Sequence, residues 1–74
     1  MQISMGKKPI NRLKAVLAEQ GKTNKWLAER LMKNETTVSR WCTNEVQPSM
    51  DNLVAIASLL KIDVRQLINP TKTE

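Results

Sequence analysis

The sequence predicts an all-α fold, a compact five-helix domain whose second and third helices form a helix-turn-helix, and three observations carry that expectation. Apolar residues recur at spacings of three and four in five successive segments. Residues that cap or break helices, among them Gly21, Thr23, Asn34, Asn44, Ser49, Asp63 and Pro70, stand between those segments. No stretch reads convincingly as a strand.

Ile10, Leu13, Val16 and Leu17 place the first helix over roughly 10–20, with Gly21 as its left-handed terminator. Thr23 caps the second, which runs to about Leu31 and buries Leu27, Ala28 and Leu31. Only Met32 and Lys33 separate it from Asn34, the expected cap of the third helix, over about 34–44 with Val38, Trp41 and Cys42 on its inner side. Asn44 tolerates the left-handed conformation that ends this helix, and a loop containing Pro48 follows. Ser49 caps the fourth helix, whose stripe is Leu53, Ile56, Ala57 and Leu60. Asp63 and Gln66 form a capping box for a short fifth helix bearing Val64, Leu67 and Ile68, which Asn69 and Pro70 stop. The organisation expected is one domain over 10–70, with flexible segments at 1–9 and 71–74.

A chain of 74 residues holds one small core, and the absence of Phe and Tyr makes it aliphatic around two tryptophans. So small a core favours self-association. Twelve basic against seven acidic residues, a net charge of +5, point to a polyanionic partner more than to a neutral one. One cysteine and no histidine leave no disulfide, no zinc or haem ligand set, and no base for Ser39 or Cys42 to act as nucleophile. The expectation is therefore a non-enzyme without cofactor or metal. No apolar run is long enough to span a bilayer, and a cytoplasmic location suits the cysteine usage.

On a helical wheel the third helix opposes its apolar arc with Thr36, Ser39, Arg40 and Thr43, flanked by Glu35 and Thr37. Short hydroxyl side chains and one arginine suit close approach to base edges and phosphates. The same face also fits a merely solvated surface.

The run from about Asn11 to Asn69 resembles the Cro/repressor type of helix-turn-helix, the XRE family, whose fold is lambda-repressor-like. The resemblance is carried by Asn11-Arg12-Leu13-Lys14, by Trp26-Leu27-Ala28-Glu29-Arg30-Leu31, by Thr36-Thr37-Val38-Ser39-Arg40-Trp41, by Pro48-Ser49, and by 53–67. It implies that the third helix enters the major groove of double-stranded DNA while the start of the second touches the backbone. The base-reading positions then fall on Glu35, Thr36 and Arg40, with Thr37 and Ser39 nearby. Arg40 pairs with a guanine, or else serves a phosphate or a surface ion pair with Glu29 or Glu35. Glu35 accepts from cytosine or simply complements the helix dipole.

The family position that often carries a phosphate-binding Gln is Asn24 here, with Lys25 as an electrostatic neighbour. Asn34, Thr43 and Asn44 match further backbone contacts, although capping is an equal use for both asparagines. One such helix reads only a few base pairs, so a homodimer on a pseudo-palindromic operator is expected, its interface near Val64, Arg65 and Ile68, unless Val64 and Ile68 complete the core instead. A transcriptional repressor or small controller is the first reading. An antitoxin that binds a partner protein and its own operator is the second, and a protein-binding module without a DNA role is the third.

Three departures from the family pattern stand out. Met32 occupies the turn position usually given to glycine, so a slightly different turn is expected. Leu17 and Cys42 replace a buried Arg–carboxylate pair, predicting an apolar contact there. Glu45 stands where a basic residue would help hold phosphate. Trp26, near the start of the second helix, is expected to pack against the first helix or a terminal tail, with a partner surface as the other reading.

Overall fold

A computed structural model of the chain describes residues 9–70, and the segments 1–8 and 71–74, read above as parts of flexible tails, lie outside the described residues. Four helices follow one another, α1 (Leu13–Glu19), α2 (Asn24–Leu31), α3 (Glu35–Cys42) and α4 (Met50–Leu60), and a 3-10 turn, Val64–Leu67, closes the order. The fifth expected helix is thus a single tighter turn. Its Asp63 and Gln66 capping box forms as expected, but Asn69 and Pro70 follow before the turn can lengthen. Among the described residues no helix is long and apolar enough to cross a membrane.

The first helix starts three residues later than its periodicity indicates. Ile10 is 53% exposed and belongs to an extended segment rather than to the core. The cause is Asn11, whose carboxamide oxygen accepts from the Leu13 N–H at 3.0 Å and so turns the chain into the helix. The extended segment pairs with the far end of the domain. Asn11 and Ile68 form an antiparallel bridge, Arg12 N–H donates to Leu67 O at 2.8 Å, and Asn69 N–H donates to Ile10 O at 2.8 Å. Pro9 is held too, its carbonyl accepting from Asn69 Nδ2 at 3.0 Å.

Thr23, Asn34 and Ser49 cap α2, α3 and α4 as expected, each side chain accepting from a backbone N–H of the first turn. All four helices end alike. In each, a residue with positive φ lets the chain fold back, its N–H donating to the carbonyl three residues earlier and the next N–H to the carbonyl five residues before it. Gly21, Met32, Asn44 and Lys61 hold these positions, at φ 68°, 57°, 63° and 58°. Met32 therefore adopts the left-handed conformation that glycine would supply, and the expected change in the turn is absent. Its side chain lies 91% exposed, so only the backbone is strained.

The buried core draws on every element: Leu13, Val16 and Leu17, then Leu27 and Ala28, then Val38, Trp41 and Cys42, then the stripe of α4, and Leu67. Leu31, Val64 and Ile68 pack against it from partly exposed positions. Because α2 packs chiefly on α3 and α4 on the 3-10 turn, the helix-turn-helix sits on one side of the core and the last two elements on another.

Candidate nucleic-acid interface

The helix-turn-helix places α3 with Val38, Trp41 and Cys42 inward, which turns Thr36 and Arg40 fully outward. Glu35, Thr36, Ser39 and Arg40, with Glu45 from the following loop, line one shallow polar groove on that face. Four of the five expected base-reading residues thus come together. The fifth, Thr37, lies on the flank, half-buried, with its N–H donating to Asn34 Oδ1 at 3.4 Å. Among the described residues the Arg40 guanidinium has neither an ion pair nor a hydrogen-bond partner, so the surface pair with Glu29 or Glu35 does not form. Five N–H donors in a planar fork are left facing solvent beside the hydroxyls of Thr36 and Ser39 and the carboxylates of Glu35 and Glu45.

The expected backbone contacts divide into two groups. In Asn24 and Asn34 the carboxamide oxygen is engaged within the protein while no partner of the described residues takes the NH2. Asn24 Oδ1 accepts from the Cys42 thiol, at 3.3 Å from Sγ, and Asn34 Oδ1 caps α3. Capping and contact are therefore compatible for Asn34, since they use opposite ends of one amide. Lys25 is exposed beside Asn24 at the start of α2.

Thr43 and Asn44 are engaged differently. The Thr43 hydroxyl faces the Arg40 carbonyl at 3.2 Å and the Glu45 carboxylate at 3.0 Å. Its single proton is directed at acceptors of the protein, next to a charge that repels phosphate. Asn44 Oδ1 accepts from the N–H groups of Ile10 and Asn11 at 2.8 and 2.9 Å, and its Nδ2 donates to Asn11 O at 3.2 Å. Buried Asn11 extends this clasp by donating to Trp41 O at 2.9 Å and Gln47 Oε1 at 2.8 Å. Asn44 thus joins the end of α3 to the N-terminal segment, a role its phosphate-contact reading overlooked. Asn11 and Gln47 were equally missed. Their signal in the sequence was only that a polar residue interrupts an apolar pattern at Asn11.

Leu17 and Cys42 are both buried, consistent with apolar replacement of an ion pair. Burial pushes the Cys42 thiol above its ordinary pKa, while the charge of Lys14 acts in the opposite direction. Trp26 is half-buried against the core, with Lys22 Nζ at 4.8 Å and Arg30 Cζ at 5.6 Å from its ring centroid. Its neighbours four residues away on either side occupy it, which accounts for an aromatic ring at this polar surface.

A second open groove lies between α4 and the 3-10 turn, lined mainly by apolar atoms of Met50, Leu53, Val64, Ile68 and Pro70 together with Arg65 and Asn69. All three residues expected at a dimer interface meet there. Val64 and Ile68 also complete the core, whereas Arg65 is held by Asp63, Nε to Oδ1 3.1 Å, an interaction that lowers the Asp63 pKa.

No curated protein sequence matches this chain. A solved structure described as a "putative DNA-binding protein" from Bacteroides fragilis is 60% identical, covers 81% of this chain and 97% of its own, and superposes with a TM-score of 0.80. The helix-turn-helix family model matches residues 13–67, from the first residue of α1 to the last of the 3-10 turn. With the order of elements and the left-handed turn at Met32, this match means that the chain belongs to the XRE-type helix-turn-helix family.

Proposed function

We propose that the protein is a sequence-specific double-stranded DNA-binding regulator that acts as a homodimer on a pseudo-palindromic operator, with the outer face of α3 in the major groove. The observation that carries this reading is the polar groove of α3, in which unpaired Arg40 stands among Glu35, Thr36 and Ser39. The similarity to a Bacteroides fragilis protein described as DNA-binding supports it. Arg40 reads guanine through two acceptors, Glu35 accepts from cytosine, and Thr36 and Ser39 adjust to neighbouring edges. Thr37 contacts the groove margin. The NH2 groups of Asn24 and Asn34, with the ammonium of Lys25, hold phosphates and set the helix's register. Thr43 and Asn44 support this face from within the protein instead of touching the backbone.

One helix reads only a few base pairs, so useful specificity requires two, about 34 Å apart. The groove of Met50, Val64 and Ile68 supplies the surface for a second copy, with Arg65 at its rim. On this reading the protein represses by occupying its operator, one face for DNA and one for a second copy.

Selection of bound duplexes from a random pool at fixed salt tests the reading. The expected outcome is enrichment of an inverted repeat whose half-sites lie about one helical turn apart. Recovery of unenriched sequence, or of a single unpaired half-site, contradicts it.

A further inference from the structure

Asn24 opens α2 from a half-buried position, and Cys42 closes α3 from a buried one. The thiol of Cys42 donates to Asn24 Oδ1 at 3.3 Å, and among the described residues this is the one side-chain hydrogen bond between the two helices. A carboxamide turned by half a rotation keeps its shape but exchanges its acceptor for its donors. Toward a phosphate, the two orientations have opposite signs. The NH2 attracts the anionic oxygens and the carbonyl repels them. A weak bond that selects one orientation therefore has a large effect on what Asn24 presents. Burial favours the protonated thiol, so Cys42 stays a donor near neutral pH. Lys14, which lines the same shallow groove as Cys42 on the α1 side, adds a cation close by.

We propose that Cys42 is a positioning residue for phosphate binding, its thiol holding the Asn24 carboxamide with oxygen inward and NH2 toward the DNA backbone. The inference rests on the DNA-binding reading given above. Serine at position 42 preserves the donor, whereas alanine and valine remove it. Asn24→Asp keeps an oxygen for the thiol and places an anion where the NH2 stands.

The test measures binding of the unmodified protein and its variants to a selected duplex and to an unrelated duplex of equal length, with thermal melts to establish that each variant is folded. Cys42→Ala is expected to weaken binding to both duplexes by the same factor, about five-fold, as loss of one oriented hydrogen bond predicts. Cys42→Ser restores binding, and in an Asn24→Ala background Cys42→Ala has no further effect. Asn24→Asp loses more than Asn24→Ala. Where alanine lowers the melting temperature below the assay range, Cys42→Val replaces it and gives the same uniform loss. Unchanged binding by folded Cys42→Ala or Cys42→Val overturns the inference alone, as do losses that multiply independently in the double variant. If the unmodified protein binds no duplex, the DNA reading falls and the inference with it.

Discussion

The outer face of α3 and the groove between α4 and the 3-10 turn are both open to solvent, yet they are made of opposite materials. On α3 the exposed atoms are hydroxyls, a carboxylate and a guanidinium. Beside α4 they are mostly carbon, with Met50 68% exposed at the helix start. The two arginines sharpen the contrast. Arg40 has no partner among the described residues, whereas Arg65 is tied to Asp63 two residues away. Unpaired donors on a rigid helix suit a ligand rich in acceptors, and an uncovered apolar groove suits another apolar surface. In the function proposed above, the first face reads DNA and the second pairs with another copy, both built on one core.

The two faces are linked by the clasp of Asn11 and Asn44, so breaking that clasp has the largest expected effect. Asn44→Ala removes the bonds to Ile10 and Asn11 and places a Cβ-bearing residue without a compensating amide at φ 63°. A loss of about 3 kcal/mol is expected, lowering the thermal midpoint by more than roughly 10 °C. Asn44→Gly relieves the backbone share, and the difference between the two melts separates strain from lost hydrogen bonds.

Charging the apolar face is expected to act on assembly and not on folding. Met50→Glu puts an anion at the first position of α4, where the helix dipole favours it, and in a groove where a second copy would bury it. Sedimentation is expected to show a dimer dissociation constant raised at least about tenfold with the melting temperature of the monomer unchanged. An unaltered association constant places the pairing surface elsewhere.

The smallest effect concerns the turn between α2 and α3. Met32→Gly releases left-handed strain but increases the freedom of the unfolded chain, leaving a net gain of about 0.5 kcal/mol. A melt raised by roughly 2–4 °C with unchanged DNA affinity is the expected result. A change in affinity would show that Met32 sets the angle of α3 as well as its stability.

Much of the fold was legible because its signals are local. Thr23, Asn34, Ser49 and Asp63 cap where a short polar side chain precedes an apolar run. The position of Ile10 was misread because spacing cannot distinguish an apolar residue that enters a core from one that precedes a helix in extended form. What decides it is the bond from Leu13 N–H to Asn11 and the pairing of Asn11 with Ile68, 57 positions along the chain. Contacts between distant segments have no sequence period. The α3 groove was legible from the wheel because four of its residues, Glu35, Thr36, Ser39 and Arg40, share one helix. The engagement of Asn44 was not, since an asparagine reads alike whether its amide faces solvent or holds another strand. Met32 shows a third limit: a local preference against positive φ yielded to packing of α2 on α3.

Whether the α3 face reads base edges through Arg40 is decided by titrating Arg40→Ala against two duplexes. A loss of roughly 1–3 kcal/mol is expected on the selected operator, with binding to an unrelated duplex changed far less. An equal loss on both duplexes would make Arg40 a phosphate contact, and no loss on either would remove the α3 face from the DNA interface.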